Sequence, residues 1–367
     1  MRNVLIFVFA GVAAFVGCTP DGGVSDVAKG EAALKIRDFQ SAEKCFAGAA
    51  AKDATNSQVR VRLALVRMAL GDLEGAAAAV ADARKCDSDS AEAVFAEGQV
   101  AYLKKDYALA RKDFARVASE KSLPNSLRAD AMASGAVLDV LENNVDAARI
   151  ALWRALRIDP KCAAAWYHLG YVSHMTYNFT DAAEMQYSMA AALLPACDEH
   201  ASEITRKVLP ALRDAKARRK SDTMGVSKRD PALSAKLVAE AQALQAKDVK
   251  KAAAKFLEAW EKDVFSFEAA SGWARLASAS PNAANADKVL EAYNVALAER
   301  PSAQALYLSA AQYALRTGKS ICAQRLLDQA LAHDSSNKKT LALYVDVLKK
   351  NGKKKEAELY QTFLKEL

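Results

Sequence analysis

Small and large apolar residues recur along this chain with a long period. Ala42, Ala76 and Ala110 follow one another at intervals of 34 residues, and Ala148 comes 38 later, the extra residues falling at Ser122-Leu123-Pro124-Asn125. Further on, Ala252, Val289, Ala323 and Ala357 are separated by 37, 34 and 34. Four positions beyond most of them stands a larger apolar residue: Phe46, Val80, Phe114, Leu152, Phe256, Tyr293 and Leu327. Three beyond that comes a smaller one: Ala49, Ala83, Val117, Ala155, Ala259, Ala296 and Ala330. Spacings of four and seven put each trio on one face of a helix. The small residues let neighbouring helices approach, and the larger one fills the groove beside them. The pattern therefore predicts a stack of similar helical hairpins.

Turn residues fall between the predicted helices, at Arg37-Asp38, Gly71-Asp72, Lys105-Asp106, Lys247-Asp248, Thr317-Gly318 and Asn351-Gly352. Gly or Asn tolerates the left-handed conformation that ends a helix, and Asp caps the next one. Asp159-Pro160 and Arg300-Pro301 close hairpins, because proline stops a helix from running on.

Trp166-Tyr167-His168-Leu169-Gly170, then Asn178-Phe179 and Ala182, then Leu194-Pro195, resemble a full tetratricopeptide repeat with one residue inserted in its second helix. Gly30, Gly98 and Trp273 match the same family's positions in other copies. The resemblance extends over about nine repeats from Gly23 to Leu364. It implies an all-α solenoid of tetratricopeptide-type hairpins wound as a right-handed superhelix. Residues 23–217 are expected to form a first block of about five repeats with a capping helix over 199–217, and residues 232–367 a second block of about four. Between them, Lys216, Arg218, Arg219, Lys220, Lys228 and Arg229 crowd a stretch with Ser, Thr and Gly, so residues 218–231 are expected to be a basic linker and hinge. An alternative for it is contact with a membrane surface or an acidic partner. Lys349, Lys350, Lys353, Lys354 and Lys355 form a second basic patch.

The N-terminus adds an address. Met1-Arg2 is followed by an apolar run over residues 4–17, which is shorter than the roughly 20 residues a membrane-spanning helix needs. A short positive start, an apolar core and small residues before a cut site describe a secretory signal, here residues 1–17. Phe15-Val16-Gly17-Cys18 resembles a bacterial lipobox, with Phe15 in place of the usual Leu. That resemblance implies lipidation at Cys18, a flexible tether over 18–22 and a place in the cell envelope, on the outer membrane facing the periplasm. An ordinary cleaved signal or an uncleaved anchor are the alternatives.

Composition changes little. Twenty-six per cent charged residues, only 8 Pro and 15 Gly in 367 residues suit a helical protein. A net charge of +7 fits an anionic surface or an acidic partner, but the basic residues are too dispersed to predict nucleic-acid binding. Cys45, Cys86, Cys162, Cys197 and Cys322 are scattered and show no C-x-x-C pattern, so most are expected as small buried hydrophobes. No metal and no cofactor are expected. His168 and His174 lie six apart and do not share a helix face, and Cys197 with His200 makes only two ligands. No phosphate loop, nucleophile elbow or H-E-x-x-H is present, so no enzymatic activity is expected.

In the tetratricopeptide family the first helix of each hairpin lines a concave groove. Carried onto this chain, the resemblance implies Val61, Leu65 and Met68 in the second repeat, Phe95, Gln99 and Tyr102 in the third, and Tyr167, Tyr171, His174 and Met175 in the fifth. Such an apolar and aromatic surface suits an extended peptide or an amphipathic helix. Several of these side chains could equally pack between layers. The positions at which some family members hold a carboxylate with paired Lys and Asn are mostly apolar in the first block. Lys339, Asp346, Lys349 and Lys350 fall near the groove of the last repeat. The expectation is a membrane-tethered scaffold for envelope proteins, with a polysaccharide or other polymer adaptor, or a plain spacer, as competing readings.

Overall fold

The structure is a computed structural model, and it describes residues 25–195, 198–224, 229–279 and 283–367. The signal segment, Cys18, the tether and Cys197 lie outside the described residues.

The described residues are helical throughout, with no strand among them. Helices pair in order: α1 (Asp26–Lys35) with α2 (Phe39–Lys52), α3 (Ser57–Leu70) with α4 (Leu73–Cys86), and α5 (Ala91–Leu103) with α6 (Tyr107–Ser119). Next come α7 (Asn125–Leu141) with α8 (Val145–Ile158), and α9 (Ala163–Met175) followed by α10 (Thr180–Leu193). A capping segment follows, made of α11 (Glu199–Glu203), a π-helical turn (Ile204–Val208) and α12 (Leu209–Met224). Four more hairpins complete the chain: α13 (Pro231–Leu244) with α14 (Val249–Lys262), α15 (Phe267–Ala277) with α16 (Ala286–Glu299), α17 (Gln304–Arg316) with α18 (Ser320–His333), and α19 (Lys338–Lys350) with α20 (Lys354–Glu366). Contacts divide the chain into two compact units: the described part of Met1–Tyr177 with Ala183–Pro210, and Asn178–Ala182 with Ala211–Leu367.

Local chemistry explains where these helices begin and end. Asp38, Asp72, Asp106 and Asp248 each accept a hydrogen bond from a backbone N–H of the second helix's first turn, at 2.9–3.1 Å. The residue before three of them, Arg37, Gly71 and Lys105, takes a positive φ, as do Asn143, Asn178, Gly318 and Gly352 in other hairpins. Lys247 does not, so that turn reaches its cap by another route.

The periodic residues form the core. Ala42, Ala76, Ala110, Ala148, Ala252 and Ala323 have no solvent exposure, and Phe46, Phe114, Leu152, Phe256, Tyr293 and Leu327 are buried beside them. Ion pairs link neighbouring hairpins: Arg62 with Glu31 at 2.9 Å, Lys104 with Glu74 at 2.9 Å, Arg111 with Asp139 at 2.8 Å, and Lys319 with Asp287 at 2.9 Å. Each exposed pair among them contributes less than about 1 kcal/mol, whereas Glu31 is buried under its pair with Arg62; together the pairs register the layers.

One boundary differs from expectation. The basic stretch from residue 218 does not begin a loop, because α12 continues to Met224 and Asp230 already caps α13. Ala, Arg and Lys are good helix formers, so a run of positive charge does not end a helix as Gly or Pro would. The hinge expected between Lys220 and Lys228 is therefore helical at its start, and its residues 225–228 lie outside the described residues.

Candidate interaction surfaces

In the first unit, the groove residues expected from the sequence are more covered than their pattern suggests. Val61, Leu65 and Met68 on α3 are 4–7% exposed and belong to the core shared with α1, α2 and α4. On α5, Phe95 packs against Phe114 with ring centroids 5.7 Å apart, and Gln99 is buried, while Tyr102 stays half-buried with its ring 5.8 Å from Tyr107. Burial pushes the Tyr102 hydroxyl up to about 12. On α9, Tyr167 meets Tyr187 and His200 edge-on, at 5.6 Å each. His200 belongs to α11, so the capping segment covers this end of the fifth hairpin. Tyr171 and His174 remain half-buried and Met175 is 62% exposed. Tyr102, Tyr171, His174 and Met175 are thus the accessible part of the expected set. The remainder packs between layers.

The second unit carries an open cavity of about 490 Å³ along the first helices α13, α15 and α17. Gln242, Gln245, Ser271, Arg275, Gln304 and Ser309 line it, over a floor that includes Phe256 and Tyr293. Arg275 is exposed and forms no ion pair with an acid among the described residues. Glu268, also on the wall, is already paired with Arg300. Gln304 donates to the carbonyl of Ala330 at 2.8 Å, leaving its Oε1 buried without a hydrogen-bond partner. Amides and hydroxyls can meet the main chain of an extended peptide, and a guanidinium can meet a carboxylate. The residue pattern does not single this set out, although Gln242/Gln245 and Ser271/Arg275 stand three and four apart, the spacing of one helix face.

Buried polar groups occur elsewhere. Arg149 on α8 is 3% exposed, lies over the rings of Trp153 and Tyr177 at 5.0 and 4.8 Å, and pairs with Asp146 at 3.4 Å. Asp113 on α6 is buried, with Oδ2 lacking a hydrogen-bond partner, and burial followed by the nearby Glu97 charge pushes its carboxyl up to about 6. Burial, and after it the neighbouring His200, hold the His168 imidazole down to about 3. Only Cys162 of the described cysteines is buried. Its thiol lies 3.3 Å from Asp130, while Cys45 and Cys322 are half-buried and Cys86 is exposed. A position at a helix end rather than mid-face explains the exposed Cys86. Among the described residues no three His, Cys, Asp or Glu side chains gather as metal ligands, and no helix is long and apolar enough to cross a membrane.

A tetratricopeptide repeat profile matches residues 27–91, 61–123 and 142–196. Over those residues the chain matches tetratricopeptide repeats, and each unit is an all-α series of helical hairpins of the kind such repeats form. No curated protein matches it significantly. Among solved structures it is similar to PilF of Pseudomonas aeruginosa, at 14% identity over 66% of this chain and 93% of that one, with a TM-score of 0.38. It is similar to the Cut9–Hcn1 hetero-tetramer of the APC/C at 16% identity over 92% and 78%, with a TM-score of 0.37. Human IFIT1, solved as a dimer with m7Gppp-AAAA, matches at 15% identity over 92% and 70%, with a TM-score of 0.34. Likenesses at this level carry no argument about function. The repeats themselves imply a protein–protein interaction scaffold, and proteins built from them are generally not catalysts.

Proposed function

We propose that this protein is a membrane-tethered scaffold of a bacterial cell envelope, holding peptide or helical segments of partner proteins during assembly or biogenesis of an envelope complex. The lipobox-like sequence ending at Cys18 supports the tether and the address. The observation that carries the scaffold reading is the open cavity along α13, α15 and α17. Its amides suit an extended main chain, and Arg275 suits an acidic side chain or a terminal carboxylate. The accessible aromatic residues Tyr102 and Tyr171 offer a second, less polar contact.

The test is affinity capture of the native protein from detergent-solubilised membranes beside Cys18→Ser and Arg275→Glu forms, with mass spectrometry of the bait and of what it brings down. Acylated Cys18 together with a defined envelope protein, lost with Arg275→Glu, is the expected result. An unmodified Cys18 and a soluble protein would remove the address. Co-purification of a polysaccharide instead of a protein would replace the scaffold with a polymer adaptor.

A further inference from the structure

The hairpins of the second unit are registered by charge, and the last one breaks the rule. Lys319, at the start of α18, reaches back 32 residues to Asp287 on α16 at 2.9 Å, and Lys288 on α16 reaches Glu261 on α14 at 3.6 Å. Thirty-four residues after Lys319 the lysine recurs as Lys353, but the place of Asp287 is taken by Ile321. Ile321 is 69% exposed, although a large apolar side chain gains by leaving water. Asn351 donates to the Ser320 carbonyl at 3.4 Å and to the Gln324 amide oxygen at 3.0 Å, which holds the α19–α20 turn beside Ser320 and Ile321.

That turn carries Lys349, Lys350, Lys353, Lys354 and Lys355, all exposed and none ion-paired among the described residues. Lys353, Lys354 and Lys355 occupy the cap and first turn of α20, the end at which the helix dipole disfavours cations, and no side chain caps it. Local stability therefore does not account for them. The turn thus carries five ammonium groups without an ion pair, and it is anchored at Ser320, the residue before the exposed Ile321.

We propose that the α19–α20 turn and Ile321 dock on an anionic phospholipid surface. Lysines on flexible stems suit a diffuse layer of phosphate headgroups, and clusters of this size are the usual basic element in lipid-surface contacts. A protein carboxylate partner would be held better by arginine forks, and no Arg occurs after Arg325. Ile321 adds an apolar contact that an acidic peptide would not use. The inference is independent of acylation at Cys18.

The experiment is cosedimentation of the full-length Cys18→Ser chain with vesicles of phosphatidylcholine alone or with about 30% phosphatidylglycerol, at low and high salt. Phosphatidylcholine supplies the baseline for any binding by the N-terminal apolar segment. Binding in excess of that baseline is expected on the anionic vesicles only, and is expected to disappear at high salt. Replacing all five lysines by Gln, at exposed positions that leave the core intact, should remove the excess, with about fivefold lost per lysine. Ile321→Ser should weaken it severalfold at unchanged salt dependence. Equal binding to both vesicles, or an excess that survives the five substitutions, overturns the proposal. Equal displacement by polyglutamate with no effect of Ile321→Ser would assign the patch to an acidic protein and overturn it as well.

Discussion

A Cβ placed on Gly98 would lie 2.8 Å from the ring of Phe114, which stands sixteen residues on in the second helix of the same hairpin. The same approach joins Gly30 to Phe46 at 2.8 Å, and Gly170 to Tyr187 at 2.8 Å across one inserted residue. Where the second position is smaller, the first is larger: Ala64 with Val80, Ala136 with Leu152 and Ala311 with Leu327, all buried. Volume is thus held constant across the contact, as dense packing requires.

Gly98→Ala is expected to lower stability by about 1–2 kcal/mol. Overpacking typically costs about 1–3 kcal/mol, and better helix propensity returns up to about 1 kcal/mol. Adding Phe114→Leu to Gly98→Ala should recover part of the loss. Urea unfolding of the parent, the single variant and the double variant tests this. A Gly98→Ala protein as stable as the parent would show that the close approach does not require glycine.

Lys105 holds φ at 66° in the turn before Asp106, a conformation that suits glycine. Lys105→Gly should relieve that strain and raise stability by up to about 1 kcal/mol, reduced by the greater freedom of glycine in the unfolded chain. An unchanged or lower thermal midpoint would contradict the strain.

Asp113 gives a pH dependence with a defined sign. Its native carboxyl is raised to about 6, whereas 3.8 is the ordinary value, so the folded state binds the proton more tightly. The contribution is favourable in acid and is lost as pH rises through about 6. Asp113→Asn should stabilise the protein at pH 7.5, on the order of 1–2 kcal/mol, and flatten the profile between pH 4 and 6. Equal effects of the substitution at pH 4 and pH 7.5 would exclude a buried carboxylate there.

His168 acts in the opposite direction. Its imidazole is held down to about 3, against an ordinary 6.5, so the unfolded state binds the proton more tightly. Stability is expected to fall as pH drops below 6.5. His168→Gln should remove that part of the acid loss, and ring proton shifts should show no protonation of His168 at pH 5. A resonance titrating near pH 6.5 would contradict its burial beside His200.

Residue pattern alone located the hairpins, their capping aspartates and the alanine and aromatic faces. These are legible because each depends on neighbours within one repeat and on spacings set by the helix. Side chains at layer contacts were less legible. Val61, Gln99 and Tyr167 share the spacing of groove residues, yet they are covered by other hairpins or, for Tyr167, by α11 at the start of the expected capping segment. The cavity along α13, α15 and α17 depends on three helices about thirty residues apart leaving polar side chains on one shared wall. The sequence by itself determined the repeating helical hairpin, because periodicity and capping are local. Only the tertiary structure decided which faces stay open, because burial is a property of the stack and not of the single helix.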